Sequence, residues 1–159
     1  MKFHGSIAGL LALATSTSAT YECPVSLSST DAAAISFGLS LQKLLSSYYD
    51  SVPVNASFYS TLPAHTIPMT DYLANTMGLA VQAKLGVDGL MHVASAAGAS
   101  VPDCQYSYPP VTDAKSHLMN AYVLEATMCG AFIGLADYVQ SPQAAFLMAR
   151  LAAEHGQTF

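Results

Sequence analysis

The chain has 159 residues, 52% of them hydrophobic and 9% charged, which is enough apolar surface for one globular domain with a sizeable core. Five Lys and Arg stand against ten Asp and Glu, a formal net charge of −5. That acidity, with no basic cluster, excludes a surface built to neutralise a nucleic-acid backbone.

Residues 1–19 read as an export signal. Lys2 gives a positive start, Ile7 to Ala14 is a short apolar stretch, and Thr17-Ser18-Ala19 supplies small residues for cleavage. The run is too short to span a bilayer. Cleavage after Ala19 leaves residues 20–159 as the mature domain, with four positive against ten negative residues. Export predicts secretion, or residence at the cell wall or surface, in an oxidising setting. There Cys23 and Cys104, both in segments rich in Pro, Ser and Tyr, are expected to pair, while Cys129 inside an apolar helix is read as a buried free thiol. The bridge would close a loop of about 80 residues and add roughly 4 kcal/mol in the chain-entropy view. Asn55-Ala56-Ser57 is an N-glycosylation sequon in a loop, meaningful for an exported chain.

Four helices and no strand follow from the periodicity. The first starts near Ser29 or Thr30, carries Ile35, Leu39, Gln42, Leu45 and Tyr49 on one face, and ends before Val52-Pro53. Pro53, Pro63 and Pro68 keep the connection from 51 to 69 irregular. The second helix is capped by Thr70 and runs to about Ala97, with Gly98 beyond its end and Leu79, Gln82, Leu85, Gly86 and Gly89 on its stripe. Glycines at 78, 86 and 89 each cost about 1 kcal/mol of helix propensity, which predicts close packing there. From Ala99 to Val111, Pro102, Pro109 and Pro110 impose an extended segment. Its reach of roughly 46 Å just exceeds the length of a helix of about 40 Å, which permits a crossover that leaves the second and third helices parallel. The third helix, capped by Thr112-Asp113, runs to about Gln140 with Leu118, Tyr122, Glu125, Cys129, Phe132 and Ala136 inward; Ser141-Pro142 then opens a fourth, shorter helix, as if truncated.

Each helix therefore places one residue of the Glu/Gln set on its inward stripe: Gln42, Gln82, Glu125 and Glu154. An ionised carboxylate is too costly to bury alone, so each Glu needs a hydrogen-bond donor, a proton or a metal. In ferritin-like bundles two helices each supply a Glu and the other two each supply Glu-x-x-His, because hard multivalent ions require several anionic oxygens at one depth. Asp31-Ala32-Ala33-Ala34-Ile35-Ser36-Phe37, the stretch Asn75 to Gly98 with Gln82-Ala83-Lys84-Leu85-Gly86, Cys104-Gln105-Tyr106-Ser107-Tyr108-Pro109, Leu124-Glu125-Ala126-Thr127 and Ala152-Ala153-Glu154-His155 together carry a resemblance. In them the chain resembles the secreted ferritin-like domain proteins of fungi, a group that includes stress- and starvation-response proteins. The resemblance implies an all-α, ferritin-like four-helix bundle with a long crossover. Carried over, the first-helix ligand position is Gln42, the second-helix Glu-x-x-His becomes Gln82 and Leu85, the third-helix position is Glu125, and the fourth-helix pair is Glu154 and Gln157. Two carboxylates remain and neither His is present. The amides supply no charge, so the cluster reads as a buried polar network in which Gln42 and Gln82 donate to Glu125 and Glu154.

Other motifs are weaker. Leu118 to Ala136 carries Glu125 as its one charge and includes Gly130-x-x-x-Gly134, but a charge inside a membrane span is costly, and close helix contact explains the small residues equally well. His65, His92, His117 and His155 are dispersed without metal-ligand spacing and read as surface or satisfied residues. There is no phosphate loop, no Cys-x-x-Cys and no nucleophile elbow. The expectation is a secreted, glycosylated bundle with a degenerate metal site, more a non-enzymatic binding or cell-surface protein than an enzyme. The alternative is an iron- or manganese-dependent oxidoreductase or metal-storage protein using Glu125 and Glu154.

Overall fold

The computed structural model describes residues 27–52, 54–62, 69–99 and 103–157; the export signal, Cys23 and His65 lie outside them. Among the described residues there are five helices and no strand: α1 Ser29–Asp50, α2 Ala56–Tyr59, α3 Met69–Ala96, α4 Ala114–Tyr138 and α5 Pro142–Gly156. The four long ones are those read from the sequence.

Their ends follow local chemistry. Ser28 and Asp31 form a reciprocal capping box on α1, and Asp113 and Ser116 form one on α4. Ser141 caps α5 with Pro142 in its first turn. Gly98, at φ 63°, takes the left-handed conformation just past α3 that favours glycine. Thr70 falls inside α3 rather than before it. The short α2 within the proline-rich connection was not foreseen; Asn55, the sequon residue, caps it by accepting from the Phe58 N–H at 2.9 Å.

Contacts fix the topology. Gln42 meets Ala83 and Gly86, while Asp50 meets Lys84 and Tyr49 shares a cavity wall with Thr76 and Met77, so α3 runs antiparallel to α1. Tyr48 and Tyr49 meet His117 and Glu125, and Gly38 meets Phe132, so α4 does too; α2 lies against α3. Both α3 and α4 oppose α1 and are therefore parallel to each other, which the crossover makes possible. Tyr106 and Tyr108 pin that crossover along α1 by donating to the Ser40 and Leu44 carbonyls, each at 3.1 Å. Met148 lies at Gly38 and His155 at Gln42, so α5 runs parallel to α1 and reaches only the depth of Glu125. Past that depth the bundle is closed by rings: Tyr48 and Tyr49 of α1, Phe58 and Tyr59 of α2, Tyr72 of α3, His117 of α4 and Tyr108 of the crossover.

The first-helix stripe is buried as expected, but the faces of the other helices are rotated. On α4 the buried residues are Ala114, His117, Ala121, Glu125, Met128, Phe132 and Leu135, whereas Tyr122 is exposed and Leu118, Cys129 and Ala136 are half-buried. On α3 the site-facing residues are Ala83, Gly86 and Leu90, and Leu85 is exposed. Of the glycines expected to pack closely, only Gly86 does; Gly78, Gly89, Gly130 and Gly134 have no atom within 4 Å of where a side chain would begin. Cys129 is a free thiol beside Gly156, half-buried rather than buried. Cys104 is exposed and unbridged, and its expected partner Cys23 is not among the described residues.

A second buried carboxylate joins the helix ends. Asp31 accepts from the backbone N–H of Gln140 at 2.6 Å and of Ser141 at 3.3 Å, tying the α4–α5 corner to the start of α1. Burial pushes its pKa up, but the bonds from Gln140, Ser28 and Ser141 outweigh that and hold it below the ordinary value.

Candidate functional site

Where the four long helices come to one depth, a single chain of hydrogen bonds crosses the core. Tyr49 Oη of α1 donates to Glu125 Oε1 of α4 at 2.6 Å. Glu125 Oε2 meets His155 Nδ1 of α5 at 2.6 Å, and His155 Nε2 meets Gln42 Oε1 of α1 at 3.0 Å. Gln42 Nε2 then donates to the Ala83 carbonyl of α3 at 3.3 Å. All four side chains are buried, and Phe132 stacks on the His155 ring at 5.5 Å.

Proton accounting follows from the donors. Because the Gln42 amide gives its N–H to Ala83, its oxygen faces His155, so Nε2 must carry a hydrogen. The Glu125–His155 contact then holds one further proton, on the imidazole or on the carboxyl. In either arrangement the pair is neutral overall, which is what makes its burial tolerable. Tyr49 stays a phenol: burial first, then the adjacent Glu125, push its pKa up.

Space is as specific as charge. A Cβ at Gly86 would sit against Gln42 Nε2 and 2.7 Å from its Cδ, so the amide lies where a side chain on α3 would project. A side chain there would push the Gln42 amide out of its place in the cluster.

The expected residues divide sharply. Gln42 and Glu125 are buried and linked through His155. Glu154 is not in the cluster: its side chain is 29% exposed and its Oε1 accepts from Arg150 Nε at 3.1 Å one turn back. Gln82 is half-buried and Gln157 exposed, and the α3 residue that reaches the cluster is Ala83, through its backbone. The imidazole judged to be missing is His155, which the sequence places next to Glu154 and about 100° around the helix. The inward face of α5 is Ala144, Met148, Leu151, Ala152 and His155. The ion pair between Arg150 and Glu154 at i, i+4 was a legible sign that Glu154 faces water. His92 is exposed, as read.

A model of the ferritin-like domain matches residues 30–157. The chain belongs to the ferritin-like domain family. No curated protein and no solved structure matches it.

The buried residues at the depth of the cluster match the helix distribution and spacing of a six-ligand di-metal ferritin-like centre. They are Gln42 of α1, Ala83 and Gly86 of α3, Glu125 of α4, and Ala152 and His155 of α5, keeping the i, i+3 spacing on α3 and α5. One carboxylate and one imidazole remain of six ligands. Both oxygens of Glu125 and both nitrogens of His155 are already hydrogen-bonded, and among the described residues no group of three or more His, Cys, Asp or Glu comes together. Two iron or manganese ions require several anionic oxygens, so this donor set does not fit a di-metal centre.

Proposed function

We propose that this ferritin-like domain has exchanged metal chemistry for a closed hydrogen-bond relay, and that it acts as an exported, non-enzymatic binding or cell-surface protein in a stress or nutrient response. The observation that carries the metal-free part is the mutual engagement of Glu125 and His155 at 2.6 Å, with Ala83, Gly86 and Ala152 at ligand positions. Every member of the relay is buried, so no substrate atom can be reached by the one proton it holds. The export signal read at 1–19 and the sequon at Asn55 support the exported part, and the resemblance to secreted fungal proteins supports the biological role. Exposed apolar side chains on α3 (Met77, Val81 and Leu85) and α4 (Met119, Val123 and Ile133) offer contact area for binding. The α4 helix is long and apolar enough to cross a membrane, but its Glu125 and His117 bond to α1 and α5, which favours a bundle role.

The test is metal content of full-length protein purified without chelator, beside a Glu125→Gln, His155→Gln variant. Equal, substoichiometric iron and manganese in both is the expected result. Near-stoichiometric metal in the wild type, lost in the variant, would establish the oxidoreductase or storage alternative, with His155 and not Glu154 as the partner of Glu125. Sequencing the amino terminus of protein from culture medium should give Thr20; retention of chain starting at Met1 inside cells would refute export.

A further inference from the structure

The aromatic end of the bundle has a feature the relay does not explain. Tyr48 Oη donates its only proton to the His117 carbonyl at 2.8 Å, so its 3.0 Å contact with His117 Nδ1 requires Nδ1 to carry the hydrogen. His117 Nε2 is thereby a bare lone pair, fully buried, and has no hydrogen-bond partner among the described residues. Burial pushes its pKa down, so the ring is a neutral acceptor at pH 7. An unmatched acceptor in a core is costly enough to ask what it is kept for.

A cavity of about 430 Å³ is walled by Ser51, Val52, Phe58, Tyr108, Pro109 and Val111. That volume is within the roughly 300–1,000 Å³ of small-molecule sites, and the wall is mostly apolar and aromatic. Its polar side chains are committed: Ser51 Oγ donates to the Tyr48 carbonyl at 2.6 Å and Tyr108 Oη to the Leu44 carbonyl. Phe58 belongs to both features, lining the cavity and packing edge-on against the His117 ring at 5.8 Å and 75°. It sits on the single turn of α2, which Tyr59 anchors to Thr76 of α3 at 2.6 Å, so joining cavity and acceptor needs the Phe58 side chain to turn aside while the turn itself stays in place.

We infer that this cavity binds a small, largely apolar aromatic molecule carrying one hydroxyl or N–H donor, with the ring against Phe58, Tyr108 and Val52 and the donor on His117 Nε2. The site is separate from the Glu125 relay and stands whether or not metal binds there. No bond is made or broken; recognition is by shape and one hydrogen bond.

The probe pair is 4-ethylphenol and ethylbenzene, which differ by the hydroxyl, titrated into full-length protein labelled with 15N at histidine. The expected result is tighter binding of 4-ethylphenol, about fivefold for one hydrogen bond, with the His117 Nε2 resonance moving from the position of a bare acceptor towards that of a bonded one. Ethylbenzene should bind without moving it. Phe58→Ala, which removes one wall and also the ring packed against His117, should widen the preference for 4-ethylphenol over ethylbenzene, and Val52→Trp, which fills the cavity and leaves His117 untouched, should abolish both. Equal affinities with no change at Nε2, or no saturable binding of 4-ethylphenol, would overturn the proposal. Because the signature is read on the unmutated protein, the outcome does not depend on whether a His117 variant folds.

Discussion

Two buried histidines in this bundle have opposite fortunes. His155 has both ring nitrogens bonded, to Glu125 and to Gln42, whereas among the described residues His117 has only Nδ1 bonded. Both are buried to within a few per cent, so desolvation alone does not separate them. The contrast shows what a connected polar network does: it joins four helices through one chain of donors and acceptors and engages both oxygens of Glu125 and both nitrogens of His155. A half-matched group in the same kind of core leaves an acceptor available.

The largest way to break the contrast is to remove the centre of the matched network. Glu125→Ala strands the Tyr49 hydroxyl and the His155 imidazole, and should lower the unfolding free energy by about 3–5 kcal/mol in urea melts. Glu125→Met combined with His155→Leu should recover most of that loss, because an apolar pair carries no desolvation penalty. If the double variant is as unstable as the single one, the cost lies in shape rather than in unpaired polarity.

Asp31 is the next lever and separates carboxylate effects from imidazole effects. Asp31→Asn should cost about 2 kcal/mol at neutral pH by weakening the bonds from Gln140, Ser141 and Ser28. Since the folded pKa of Asp31 is lowered, its contribution is fully present above the unfolded value of about 4 and is lost as pH falls through the folded value. The difference between wild type and variant in acid unfolding should therefore vanish at the low end. A difference that persists undiminished below pH 2 would contradict this.

Gly86→Ala should cost about 1–3 kcal/mol despite the gain in helix propensity, because the new methyl displaces Gln42 from His155 and Ala83. Gly78→Ala, with open space around it, should instead stabilise by up to about 1 kcal/mol. Thermal melts of the two variants should move in opposite directions.

The last effect is a slope. His117 has a lowered folded pKa, so above the unfolded value near 6.5 both states are neutral and it contributes nothing to pH dependence. As pH falls below that value the unfolded chain takes a proton that the folded one refuses, and stability should drop by up to about 1.4 kcal/mol per pH unit. Urea melts of His117→Asn, which keeps a donor for Tyr48, should show a shallower loss between pH 6.5 and 5 than the wild type.

Periodicity, caps and prolines were enough to set out the long helices, since these are local: Asp113, Ser141-Pro142 and Gly98 act on backbone groups within one turn. Glu125 was legible as a buried acid because it is the lone charge in a long apolar run. Its partners were less so. On α5, Leu147-Leu151-Glu154 and Met148-Leu151-His155 are both acceptable helical stripes about 100° apart at their ends, and Arg150 pairing with Glu154 is the one local hint between them. On α3, nearly every position that is not charged is apolar or small, so amphipathicity is too shallow to fix which residue faces in.

The sequence by itself determined that this is an all-helical, acidic chain with Glu125 buried in its core, because helix formation and the cost of burying charge depend on neighbours within a few residues. The tertiary structure alone decided that Tyr49 and His155 satisfy that carboxylate, that Gln42 holds His155 in turn, that Gly86 makes the room, and that His117 keeps an acceptor with no partner among the described residues. Those pairings join residues 30 to 113 positions apart, and a rotation of one helix by a single residue would have exchanged every partner.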